Sequence, residues 1–108
     1  MAKFSLGDIV VAKIPFTDFS GIKIRPAIIL KDTNDDDFII ARITSKLYFT
    51  ENDFLIENWE AANLHKPSTI RLHKIASLSK TLIIQRIGNL TQHDLQQLVS
   101  KIKSFWSL

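Results

Sequence analysis

Arg25-Pro26-Ala27-Ile28-Ile29-Leu30, then Lys31-Asp32-Thr33-Asn34-Asp35-Asp36-Asp37, then Phe38-Ile39-Ile40-Ala41-Arg42-Ile43: this stretch decides the fold. Two short apolar runs rich in β-branched residues flank a polar segment of turn formers, so residues 27–30 and 38–43 read as the arms of a β-hairpin. Pro26 cannot donate a ladder hydrogen bond and should mark the first residues of its strand. Each arm also ends in a polar group suited to an anion. Arg25 offers a planar, always-charged fork, and Ile43 is followed by the hydroxyl of Thr44, then Ser45 and Lys46.

Upstream, Gly7-Asp8 precedes the β-branched run Ile9-Val10-Val11-Ala12-Lys13-Ile14, a strand. Residues 16–24 carry turn formers at Asp18, Ser20 and Gly21 and read as a loop. Downstream, residues 46–52 are polar and irregular, and a short strand follows around 53–56. Asn58 can cap a short helix over 59–64, which must stop before Pro67. Strands over 68–73 and 81–87 follow, separated by a turn rich in Ser and Lys. Thr91-Gln92-His93-Asp94 has the form of a capping box. Leu95, Leu98, Val99, Ile102 and Trp106 then repeat at helical spacing, with Lys101 and Lys103 toward the C-terminal end. The expected architecture is mainly β: one domain over residues 1–108, a small, strongly bent antiparallel barrel with a short connecting helix and a C-terminal amphipathic helix.

Composition narrows the function classes. At 108 residues, 45% hydrophobic and 23% charged, the chain can bury one core and is no disordered segment. No run reaches the roughly 18 apolar residues of a membrane span, and the N-terminus lacks a secretory apolar core. With no cysteine there is neither a disulfide framework nor a thiolate zinc site, and a cytoplasmic protein is expected. The net charge of +3 leans weakly toward polyanionic partners. All four arginines (Arg25, Arg42, Arg71, Arg86) lie in or beside expected strands. The acids gather in Asp35-Asp36-Asp37 and around residues 51–60, which would make the molecule electrically two-faced.

Alternation over 68–73 puts Ile70 and Leu72 on one face and Thr69, Arg71 and His73 on the other, with Arg71 and His73 roughly 7 Å apart. A cation beside an imidazole suits RNA cleavage without a metal. Such cleavage needs a base for the ribose 2′-OH, donors for the charge on the phosphoryl oxygens, and an acid for the departing 5′-oxygen. Imidazole can do either proton job near neutral pH. Bland readings stand beside these. Arg25 could cap a barrel rim or pair with Asp18, Thr44 could be an ordinary strand-end residue, and Arg42 and Arg86 could be structural ion-pair partners. His65 reads as a loop residue and His93 as an exposed helix-start residue. Trp59 and Trp106 read as core or interface anchors. The histidines lack ligand spacing and acidic companions, so no metal and no cofactor is expected.

Taken together, these segments resemble the MazF/PemK-like toxins of type II toxin–antitoxin operons, in particular the PemK-like branch. The resemblance runs from Gly7-Asp8-Ile9-Val10 to the final helix. It is carried by Pro15-Phe16-Thr17-Asp18-Phe19-Ser20-Gly21, by Arg25-Pro26-Ala27-Ile28-Ile29-Leu30, by Ala41-Arg42-Ile43-Thr44-Ser45-Lys46, by Lys66-Pro67-Ser68-Thr69-Ile70-Arg71 and by Ile87-Gly88-Asn89-Leu90. It implies an SH3-like barrel, a homodimer, and a sequence-specific endoribonuclease that cuts single-stranded mRNA without a metal, leaving a 2′,3′-cyclic phosphate and a 5′-hydroxyl. It implies catalysis by Arg25 and Thr44, with Arg71 matching an arginine that some relatives use. Many relatives carry an acid where this chain has His73, which is assigned to proton transfer on chemical grounds. Relatives also often read Thr-Leu-Asp-Lys where this chain has Ser77-Leu78-Ser79-Lys80, taken as a turn variation. RNA contacts are expected from Thr17, Asp18, Ser20, Lys23, Ser45 and Lys46. The implied partner is an antitoxin with an acidic, disordered tail, the pair together binding DNA. The same barrel also allows a gyrase-binding toxin or an RNA-binding module without cleavage.

Overall fold

Six antiparallel strands and one helix make up the fold in a computed structural model, which describes residues 3–15 and 21–107. The strands are β1 (Asp8–Pro15), β2 (Ile22–Asp32), β3 (Asp37–Thr44), β4 (Asp53–Leu55), β5 (Thr69–Ser79) and β6 (Ile83–Asn89). A 3-10 turn at Lys80–Leu82 joins the last two, and α1 is Gln92–Phe105. The sheet order is β4-β5-β3-β2-β1-β6.

The hairpin forms, with a shorter turn than read, because Lys31 and Asp32 still pair in β2 and Asp37 already belongs to β3. Ala27 pairs with Arg42, Ile28 with Ala41 and Ile29 with Ile40, and both arms are nearly continuous in apolar residues because both sheet faces are covered. Ile9, Ile28, Ala41, Ile43, Ile70 and Leu72 pack toward α1 through Leu98, Leu95 and Ile102. Val10, Ala12, Ala27, Ile29, Phe38, Ile40 and Leu78 form a second core on the other face. Leu98, fully buried, anchors the helix to the first core, a burial that contributes about 1.5–3 kcal/mol. Trp59 packs against that core, and Trp106 sits at its margin, edge-on to Phe105 at 5.0 Å.

Four further expectations need correction. Strand β2 begins at Ile22, so residues 22–24 are strand rather than loop and Pro26 lies inside it. Pro26 faces Val11 of β1, whereas pairing with β3 starts only at Ala27, so the proline sits where one flank of the strand has no partner. Strand β5 runs on through residues 74–79, including Ser77-Leu78-Ser79, where a turn is expected. These residues pair with the first half of β3, while β4 covers only residues 69–71 on the outer side. Their exposed outer flank explains the polar composition that reads as a turn. Residues 59–64 form hydrogen-bonded turns and no helix. Ala62 N–H reaches Asn58 O, but Leu64 N–H already closes back on Trp59 O, with Asn63 left-handed at φ 65°. That closure ends the segment after one turn.

The fourth correction concerns closure. Among the described residues no ladder joins β4 to β6, so the sheet is open. The turn segment fills the gap: Asn63 Nδ2 donates to Ile87 O at 2.9 Å, and Gly88 lies so close to Ala62 that a Cβ there would stand 2.2 Å from its carbonyl oxygen. The helix end is also tied to this segment. Thr91 caps α1 by accepting from Asp94 N–H. Asp94, 1% exposed, also accepts from the N–H groups of Glu57 and Asn58 at 3.2 and 2.8 Å.

Candidate functional site

A hollow of ≈ 930 Å³ opens where the start of β2, the end of β3, the loop after it, the turn segment and β5 meet. The register builds it. Ala27 faces Arg42 at the end of the β2–β3 ladder, and two residues further the same register sets Arg25 against Thr44. Across the other ladder Thr44 faces Thr69 and Arg42 faces Arg71. Arg25 and Thr44, distant in sequence, therefore line one hollow, joined by Arg71, Ser45 and Lys46.

Six basic side chains line it (Arg25, Arg42, Lys46, Lys66, Arg71 and Lys74), and among the described residues no carboxylate does. The acid cluster at the turn after β2 lies at the opposite end of β3, where Asp32 binds Lys80 at 2.8 Å. Lys80, through its hydrogen bond, and the Asn34 amide hold the Asp32 carboxyl below its ordinary value. Of the two acid groups expected to share a face, only residues 35–37 lie at the far end of β3; Asp53 stands beside Arg71 and Glu57 beside His93.

Each candidate side chain has a distinct setting. Arg25 is exposed, and among the described residues its guanidinium donates only to Ile24 O, at 3.0 Å. Thr44 is half-buried; its Oγ1 accepts from Lys46 N–H at 3.1 Å, which leaves the hydroxyl proton available to an incoming oxygen. Arg71 is fixed more tightly. Its Nε donates to Asp53 Oδ1 at 2.9 Å, and its Cζ lies 3.6 Å from the centre of the Tyr48 ring. Burial pushes the Asp53 carboxyl up, but hydrogen bonds from the Thr50 hydroxyl and amide and from Arg71 outweigh it, and the net effect is downward. Thr69, opposite Thr44, is fully buried, and its hydroxyl has no partner among the described residues.

His73 is exposed and is not among the residues lining the hollow, whereas His65 is. Between the pairs Arg42–Arg71 and Ala41–Ile75, β5 holds three residues without a β3 partner. This bulge interrupts the alternation that groups His73 with Arg71. The left-handed Asn63 turns the chain so that His65 and Lys66 reach the rim, a placement no local pattern announces. Lys23 lies in β2 and does not line the hollow. Thr17, Asp18 and Ser20 fall outside the described residues. Arg86 is the structural partner of Asp8, at 3.3 Å. His93 does have acidic companions, contrary to expectation. It meets Glu57 at 3.2 Å, and the two stand with Asp94 in one cluster outside the hollow. Asp53 and Tyr48 are functional candidates that periodicity alone does not single out.

Comparison with known proteins places the chain's family and fold. A family model described as PemK-like, MazF-like toxin of type II toxin–antitoxin system matches residues 5–106. Among solved structures, the Mycobacterium tuberculosis toxin MazF-mt6 aligns at 19% identity over 94% of this chain and 97% of its own, with a TM-score of 0.76. An endoribonuclease in complex with its cognate antitoxin from a mycobacterial species aligns at 12% identity over 98% and 97%, TM-score 0.79. MazE–MazF from Deinococcus radiodurans aligns at 14% identity over 96% of each chain, TM-score 0.73. Among curated proteins, none matches by sequence.

Proposed function

The chain belongs to the PemK-like, MazF-like family of type II toxins, and from that premise we propose that it is a metal-independent, sequence-specific endoribonuclease acting on single-stranded mRNA. One observation carries the reading: Arg25 and Thr44 share a hollow that, among the described residues, is lined by six basic side chains and no carboxylate. A phosphodiester is the ligand such a surface suits, and fixed donors in a concave site stabilise developing charge far better than water does.

In the proposed reaction the ribose 2′-OH gives its proton to a base, and its oxygen bonds to the adjacent phosphorus. The bond from phosphorus to the 5′-oxygen breaks, and that oxygen takes a proton. The products are a 2′,3′-cyclic phosphate and a 5′-hydroxyl. Arg25 and Arg71 stabilise the phosphoryl oxygens, and Thr44 donates its free hydroxyl proton to one of them. His65 replaces His73 as the proton carrier, because it is the imidazole at the hollow. Ser45 and Lys46 guide the flanking backbone, with Thr17, Asp18, Ser20 and Lys23 as further RNA contacts.

The proposed partner is an antitoxin whose acidic, disordered tail occupies the same cationic hollow, the pair then binding DNA. A homodimer fits the exposed Ile22, Ile24 and Phe49, apolar residues beside Arg25 and Tyr48 that a second copy can cover. Its place of action is the cytoplasm, where mRNA is; no described helix is long and apolar enough to cross a membrane. Mapping RNA ends after incubation with EDTA tests the reading: cuts with 5′-hydroxyl ends are expected from the wild type and none from Arg25→Ala. A folded Arg25→Ala protein that cuts normally refutes the assignment.

A further inference from the structure

Among the described residues, Arg71 is the one arginine of the hollow held on two sides. In the ladders it stands between Asp53 of β4 and Arg42 of β3, a row in which an acid and two cations lie side by side. The Asp53 side chain is 1% exposed and that of Arg71 18%. The carboxylate is braced from behind, where its Oδ2 accepts from Thr50 N–H and hydroxyl at 3.1 and 2.5 Å, while its Oδ1 takes Arg71 Nε. On the other side the Tyr48 ring lies in van der Waals contact with the guanidinium plane, 3.6 Å from centroid to Cζ. Among the described residues the two terminal nitrogens have no hydrogen-bond acceptor.

This arrangement does more than neutralise a charge. A carboxylate that met the terminal nitrogens end-on would occupy the fork. Here the contact is through Nε, which leaves the end of the fork available while fixing its direction. The ring fixes its plane. An arginine free in solvent must lose side-chain freedom when it grips an anion; this one has lost it already. Asp53 also relieves the repulsion between Arg71 and Arg42, which face each other across the ladder.

We propose that Asp53 and Tyr48 are positioning residues that hold the Arg71 guanidinium as a fixed fork, its terminal nitrogens presented to a phosphate in the hollow. The proposal rests on the ribonuclease reading, and the experiment separates the two. Turnover on a long mRNA transcript is measured beside affinity for a pool of 2′-O-methyl RNA, which lacks the attacking hydroxyl. Tyr48→Leu and Arg71→Lys are expected to lower kcat by about tenfold or more with Kd changed less than about twofold, a loss of orientation rather than of charge. Tyr48→Phe, which keeps the ring, is expected to recover most of the loss. In parallel, NMR of the arginine side chains follows Arg71 as inorganic phosphate is added. Its guanidinium signals are expected to shift in the wild type, and not in Tyr48→Leu or Asp53→Asn. Wild-type kcat in Tyr48→Leu and Arg71→Lys, or an unaltered phosphate response in Tyr48→Leu, overturns the fixed fork and leaves the enzyme standing. A wild type that cuts no RNA yet shows the Arg71 response overturns the enzyme and leaves the fork standing.

Discussion

Salt should weaken RNA binding to a degree the hollow itself sets. Single-stranded nucleic acid loses about 0.7 in log K per log unit of salt for each phosphate neutralised. Six cations line the hollow and one, Arg71, is offset by Asp53, leaving five uncompensated among the described residues. If each meets one phosphate, the slope approaches about −3.5, and affinity falls roughly a hundredfold between about 50 and 200 mM salt. Lys66 and Lys74 line the rim and take no part in the proposed chemistry, so they test the electrostatics alone. Lys66→Gln and Lys74→Gln should each reduce the slope by about 0.7, and the double variant by about twice that. The assay is fluorescence anisotropy of a labelled 2′-O-methyl RNA pool, titrated at several salt concentrations. A wild-type slope shallower than about −1, or variants that leave it unchanged, would show that the nucleic acid does not follow this surface.

Other outcomes follow from single contacts. His65→Gln should flatten the pH–rate profile between about pH 5 and 8, whereas His73→Gln should keep its shape; the reverse result returns the proton transfer to His73. Gly88→Ala forces a methyl group against the Ala62 carbonyl, 2.2 Å from its oxygen. Because that turn is pinned to Ile87 and carries His65 and Lys66, urea unfolding should show a loss of about 1–3 kcal/mol with weaker RNA binding. A wild-type midpoint would mean that the turn yields freely. Thr69→Val removes a buried hydroxyl that has no partner among the described residues, at nearly constant shape, and should stabilise the fold by about 1 kcal/mol in the same assay. Acid should destabilise the protein through Asp53, Asp32 and Asp35, whose folded pKa values are all lowered. For such groups the unfolded chain binds more protons, so their contribution is complete above about pH 4 and is lost as pH falls through the folded values. Unfolding measured between about pH 2 and 5 should therefore show stability rising with pH, less steeply in Asp53→Asn.

The hairpin of β2 and β3 was legible because burial on both faces leaves nearly unbroken apolar runs, and the turn between them is written in Asp and Asn. Helix α1 was legible from its spacing and from Thr91, whose capping role needs only three following residues. Arg25 and Thr44 could be paired in advance because each closes one arm of the same hairpin, where register alone brings ends together. What the chain does not announce locally are its long-range choices. The three-residue bulge in β5 carries no distinctive residues, yet it interrupts the alternation behind the His73 assignment. The left-handed Asn63 swings His65 to the rim, and Asp94 gives its carboxylate to amides 36 and 37 positions away. Asp53 becomes the brace of Arg71 only because β4 docks beside β5. Periodicity and caps are set by neighbours a few residues apart, which sequence records directly. Bulges and strand order are settled by which arrangement buries both cores and satisfies every backbone group, a condition that exists only for the assembled sheet.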